Sequence, residues 1–181
     1  MKNTIFLTLI CAVAIFGFAA CEEAAMTPSR TSNQSITHGV SVSIDFSKGK
    51  VVEPGRVWTD NGGVQHIQGR VTTGEIFGGD LVGKMVRAVV KDAKIKSGTG
   101  NGEALLHVEC ELSWPSQNLS GTFTGELAQQ LSGFNVTSAT LDAQGGDKGF
   151  AGLHLNLSLD ETAPGSEMLK GNGEITEVNG E

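Results

Sequence analysis

Leu106-His107-Val108-Glu109-Cys110-Glu111-Leu112 alternates without a break between apolar and polar residues. A period of two sends successive side chains to opposite faces of an extended chain, so this stretch predicts a β-strand with one dry side and one wet side. Further along, Leu153-His154-Leu155-Asn156-Leu157-Ser158-Leu159 repeats the pattern with its histidine in the same place.

The likeness is wider than these two strands. Residues 91–112 and 138–159 align without a gap, setting Gly98 on Gly145, Gly102 on Gly149, His107 on His154 and Leu112 on Leu159. Upstream, Gly69-Arg70-Val71-Thr72-Thr73-Gly74-Glu75-Ile76 is echoed by Gly121-Thr122-Phe123-Thr124-Gly125-Glu126-Leu127, one residue shorter. The body therefore reads as two similar halves, each a strand, a long strand, a glycine-rich turn and another strand.

Val40-Ser41-Val42-Ser43-Ile44-Asp45-Phe46 alternates in the same way. Asp60-Asn61-Gly62-Gly63 lies between Arg56-Val57-Trp58-Thr59 and Val64-Gln65-His66-Ile67, and predicts a tight hairpin because Asn-Gly tolerates the positive φ such turns use. No window after Ser35 sustains an apolar period of 3.6. The expected fold is all-β, a closed antiparallel barrel of eight or nine strands, with a β-sandwich as the alternative. Closure removes sticky edges, and glycines within strands, at Gly121, Gly125, Gly171 and Gly173, let a sheet bend sharply enough to close.

The chain begins differently. Met1-Lys2-Asn3 carries a positive charge, residues 4–18 carry none, and Ala19 and Ala20 are small, which is the three-part layout of a secretory signal. The apolar run is short for a spanning helix, which takes about 20 residues. Phe18-Ala19-Ala20-Cys21 resembles a bacterial lipobox, with Phe18 where the usual pattern has Leu. That resemblance implies lipid, palmitate included, on the Cys21 thiol and cleavage before it. One acyl chain holds a protein only marginally, whereas two or three tether it almost permanently. The expected division is a signal peptide at 1–20, a lipidated start and flexible tether at 21–37, and a barrel domain at 38–181.

Composition narrows the partners. The formal net charge is −7, and loss of residues 1–20 leaves twelve basic against twenty acidic residues, or −8. Such a chain repels phosphate backbones, which argues against nucleic acid. Of three cysteines, Cys11 leaves with the signal and Cys21 would carry lipid. Cys110 then has no partner, so stability must come from packing rather than disulfides.

The order His66-Ile67-Gln68-Gly69, Phe77-Gly78-Gly79-Asp80-Leu81-Val82-Gly83, Ser97-Gly98-Thr99-Gly100-Asn101-Gly102, Leu119-Ser120-Gly121-Thr122-Phe123-Thr124-Gly125 and Gly145-Gly146-Asp147-Lys148-Gly149-Phe150-Ala151-Gly152 resembles uncharacterised bacterial proteins of the allene oxide cyclase-like barrel group, which includes plant dirigent proteins. The resemblance spans roughly residues 38–178 and implies a barrel that holds a hydrophobic small molecule, in some members as a trimer. Active sites reported for the group lean on tyrosine or on acid–base residues in the cavity. This chain has no tyrosine, and no catalytic residue is carried over.

Other motifs read as structure. Gly78-Gly79-Asp80-Leu81-Val82-Gly83-Lys84 begins like a phosphate-binding loop, but Met85 replaces the hydroxyl and a strand is expected next. The glycines of residues 97–102 precede a strand, which suits a turn and not a dinucleotide site. His107, Glu109 and Glu111 share a strand face about 6.5 Å apart and read as a solvated outer face, since no second strand is identified to complete a metal site. Cys110 reads as a packed small hydrophobe. Trp58 and Trp114 read as packing or as closure of the barrel ends, and Trp114-Pro115 as a strand end. Asn33, Asn118, Asn135 and Asn156 open glycosylation sequons that a bacterial lipobox makes irrelevant.

The functional expectation is an exported lipoprotein of the bacterial envelope, anchored to a membrane through Cys21, non-catalytic, with no cofactor or metal. It would bind a small apolar ligand in or at the barrel. One alternative is a cyclase or isomerase, which needs Glu75, Glu126, His66 or another ionisable residue inside a pocket. Another is an envelope interaction module, trimeric as in some members of the group.

Overall fold

The structure is a computed structural model and describes residues 36–177. The signal segment, Cys21 and the tether up to residue 35 lie outside the described residues. What is described is all-β, without an α-helix.

The chain runs up and down eight times. The first pass is broken into β1 (Thr37–Asp45), β2 (Val51–Glu53) and β3 (Arg56–Thr59), and the second into β4 (Val64–Gln68) and β5 (Val71–Gly79). Six uninterrupted strands follow: β6 (Val82–Lys96), β7 (Gly102–Trp114), β8 (Leu119–Ser132), β9 (Asn135–Gly145), β10 (Leu153–Glu161) and β11 (Met168–Glu177). Each pairs antiparallel with the next, β5 pairs with β1 and β6, and β1 pairs with β11. The ring β5-β1-β11-β10-β9-β8-β7-β6 is therefore a closed eight-stranded barrel, with β2, β3 and β4 as additions. Short β2 pairs with β5, while β3 and β4 form a hairpin carried on the end of β6.

The alternation read from sequence sets which face is inside. Leu106, Val108, Cys110 and Leu112 on β7 and Leu155, Leu157 and Leu159 on β10 are buried, as are Val40, Val42 and Ile44 on β1. Outward positions are small or charged: Thr122, Thr124 and Glu126 on β8, Thr140 and Asp142 on β9, His154, Asn156 and Ser158 on β10. A lipid-embedded barrel has the opposite arrangement, apolar outside and polar within.

The strand glycines lie where neighbouring backbones come close. A Cβ on Gly171 or Gly173 would collide with the carbonyl oxygen of Ser158 or Asn156 on the neighbouring strand, and one on Gly125 with that of Asp142. Only a residue without a side chain lets the backbones approach so closely.

The two echoed stretches fall on β6–β7 and β9–β10. Those pairs lie three strands apart in an alternating ring, so they run in opposite senses. Their common property is the inward and outward phase, with Leu112 and Leu159 inside and His107 and His154 outside. Their turns differ. Residues 97–101 turn at one end of the barrel, and residues 146–152 form a connection with a short 3-10 helix, Lys148–Phe150, at the other.

The predicted hairpin at 60–63 is present, closed by the Asp60 amide donating to the Val64 carbonyl (2.9 Å) and the Gly63 amide to the Asp60 carbonyl (3.1 Å). The expectation that Asn61-Gly62 would take positive φ is corrected. Only Gly63 does, at 74°, because the Asp60 carboxylate accepts the Gly62 and Val64 amides and holds a wider loop.

One end of the barrel is sealed. Leu81 from the β5–β6 connection and Phe150 from the 3-10 helix are fully buried there, with Phe150 packed 4.7 Å from Phe123 between ring centres. Trp114 ends β7 at this rim and meets His38 edge to face. Residue 36, the first described, enters at this end, where its carbonyl accepts the Glu177 amide.

Candidate functional site

The opposite end is open. There the strands stop at the β6–β7, β8–β9 and β10–β11 turns, and a cavity of about 250 Å³ sits between them. Phe46, Val90, Leu106, Phe134 and Val136 supply its apolar wall, and Thr72, Gln129, Asn135 and Glu167 its polar groups. An apolar hollow with a few polar groups is the usual form of a small-molecule site, and this one is a little smaller than the usual range.

Gln129 decides the character of the wall. The inward series on β8 runs Phe123, Gly125, Leu127, Gln129, Leu131, with one polar member. Gln129 is 8% exposed, and its side-chain amide meets no hydrogen-bond partner among the described residues. Its cross-strand neighbours are Ala104 on β7 and Ala139 on β9, which are too short to fill the space beside it. Among the described residues no side-chain nitrogen or oxygen is both fully buried and without a partner, so the Gln129 amide meets solvent in the hollow and is free to pair with a guest.

Phe134 forms the rim. It sits in the Gly133-Phe134 turn with φ at 68° and 57% of its surface exposed, while its amide donates to the Gly100 carbonyl (2.9 Å). Left-handed backbone costs an ordinary residue roughly 1–2 kcal/mol, and a bulky aromatic is a rare occupant. The ring is thus held over the cavity by a strained turn.

Larger hollows of about 610 and 560 Å³ exist on the outer wall. The first is a shallow groove among Ser41, Ser43, Ser158, Asp160, Lys170 and Asn172, and the second crosses β5 to β8 beside Lys84 and Glu111. Neither reaches into the barrel, and we place the candidate site at the mouth because only there do apolar walls converge on a buried polar group.

The residues singled out from sequence lie elsewhere. Glu75 is exposed and 3.3 Å from Lys48; Glu126 is exposed and pairs with Lys91 at 2.6 Å. His66 stacks on Trp58 with ring centres 5.0 Å apart and shares a hydrogen bond with Asp60 at 3.1 Å. The Arg56 guanidinium also lies over the Trp58 ring, 4.9 Å from its centre, so that tryptophan belongs to a hairpin stack and not to a barrel end. None of Glu75, Glu126 and His66 lines the mouth, whose one carboxylate is Glu167.

His107, Glu109 and Glu111 point outward, and Glu111 is engaged by Lys84 at 3.0 Å. Among the described residues no three His, Cys, Asp or Glu side chains gather to hold a metal ion. Cys110 is fully buried, and burial pushes its thiol up to about 12, so it packs and does not react. The Gly78–Lys84 stretch leads into strand β6, and Asp80 there accepts hydrogen bonds from the Ser41 amide (2.7 Å) and hydroxyl (2.8 Å). Those two bonds, the hydroxyl first, hold its carboxyl below the usual range.

Gln129 and Phe134 were not identified from sequence. The signal for Gln129 was the phase of its strand, where a glutamine falls in an otherwise apolar series. Phe134 gave none, since Gly133-Phe134 reads as any short turn. The chain matches no family model, no curated protein and no solved structure.

Proposed function

We propose that this chain is an exported lipoprotein, tethered to a membrane through lipid on Cys21, whose barrel binds a small apolar molecule at its open end without transforming it. The observation that carries the binding reading is the convergence of Phe46, Val90, Leu106, Phe134 and Val136 on one cavity at the mouth. The tether reading rests on the signal layout and Phe18-Ala19-Ala20-Cys21. A polar outer wall accords with a barrel held beside a bilayer by lipid and not embedded in it. The resemblance to allene oxide cyclase-like barrels agrees with a hydrophobic guest.

The absence of catalysis in this proposal rests on the mouth's chemistry. Glu167 stands at the exposed rim with no second acid, base or nucleophile among the residues lining the cavity. Feeding cells labelled palmitate tests the anchor: label should enter the native protein and be lost in Cys21→Ser, which should also leave the membrane fraction. Label persisting in Cys21→Ser would overturn the anchor. Mass spectrometry of the purified protein after organic extraction tests the guest, which should be an apolar small molecule absent from a Leu106→Trp variant with its mouth filled.

A further inference from the structure

We propose, resting on the ligand-binding reading above, that the mouth selects an uncharged amphiphile: a compact apolar body with one neutral hydrogen-bonding group, such as a primary amide, that pairs with Gln129 while the body reaches past it. The side-chain amide of Gln129 offers both donors and an acceptor on the cavity wall, and all are unclaimed within the protein. A primary amide on the guest is complementary to it in both directions, and an alcohol can satisfy one of them.

The same wall rejects a charged head. No lysine or arginine lines the cavity, so a carboxylate at Gln129 would be buried without a counter-charge, and Glu167 at the rim repels it on entry. A purely apolar guest would leave the Gln129 amide sealed from water with no partner, which weakens its binding. Ala104 and Ala139 beside Gln129 leave space for the head, Leu106 lies one pair deeper along the strands to receive the body, and Val90 and Phe134 flank it.

Three molecules of nearly one shape test this: phenylacetamide, phenylacetate and ethylbenzene, titrated by ligand-observed NMR at pH 7 into the full-length protein in nanodiscs, with empty nanodiscs as reference. Phenylacetamide should bind about tenfold tighter than ethylbenzene, the worth of a hydrogen bond made to an otherwise unpaired group, and more than tenfold tighter than phenylacetate. Gln129→Met, of similar shape, should abolish the amide's advantage while ethylbenzene binds as well or better. Ethylbenzene matching phenylacetamide in the native protein would overturn the assignment of a polar head yet leave the apolar pocket standing. Binding of none of the three would overturn both. An amide preference that survives Gln129→Met would remove Gln129 from the role. Should Gln129→Met fail to fold, the comparison of the three molecules in the native protein still decides.

Discussion

The two ends of this barrel are built from the same kind of strand and finished in opposite ways. At the sealed end the connections fold inward, so that Leu81 and Phe150 are removed from water entirely and Phe150 rests on Phe123. At the open end the turns carry Phe134 outward, leave Glu167 at the rim and expose a glutamine to the hollow instead of a leucine. One end has been optimised for packing. The other retains a strained turn and an amide with no partner in the protein, two features for which a purely structural end has no use, and such local inconsistencies mark functional positions more often than core ones.

Substitutions should separate the two ends. Phe150→Ala opens a void against Phe123 and should cost about 3–5 kcal/mol in urea unfolding, the largest effect expected. A loss below about 1 kcal/mol would mean the seal does not stabilise the barrel. Next comes Gly171→Val, which forces a side chain against the Ser158 carbonyl on the strand beside it and should cost about 1–3 kcal/mol. Phe134→Gly should behave in the opposite sense at the mouth, leaving stability unchanged or raising it by up to about 1 kcal/mol as left-handed strain is relieved, while guest binding weakens.

Chemical probes give smaller contrasts. Cys110, deep in the wall with its thiol pushed up to about 12, should resist iodoacetamide at pH 8 until the protein unfolds. Rapid alkylation of the native chain would show that the barrel opens locally. At the sealed end, the carboxyls of Asp80 and Asp147 are held below the usual aspartate value of about 3.8 by the Ser41 and Thr122 hydroxyls and amides. A depressed carboxyl stabilises the fold above its unfolded pKa and loses that contribution as pH falls through the folded value. The Ser41 and Thr122 amide resonances should therefore shift only below about pH 3.8, and in Asp80→Asn the Ser41 response should vanish.

The body of the barrel was legible because strand phase is a local property. The alternation at 106–112 and 153–159 assigns inside and outside residue by residue, and in-strand glycines such as Gly171 announce where strands crowd. The ends were less legible because they depend on which turns meet. Residues 146–152 look like any glycine-rich loop, and only the closed ring shows that Phe150 caps it. The hairpin at 60–63 shows the same limit at small scale: its position was readable, but the Asp60 carboxylate, not Asn61-Gly62, sets the turn. Of the site, Gln129 was readable in principle from its place in an apolar series, whereas His66, Glu75 and Glu126 drew attention by their chemistry and were placed on the outside by geometry.

The most direct test of a barrel with one working end is methyl NMR of the full-length protein in nanodiscs during titration with phenylacetamide. Saturable shifts are expected at Val90, Leu106 and Val136 near the mouth, with Leu81, Leu112 and Leu155 unmoved. Shifts centred on Leu81 and its neighbours, or no saturable shift at any of these methyls, would contradict it.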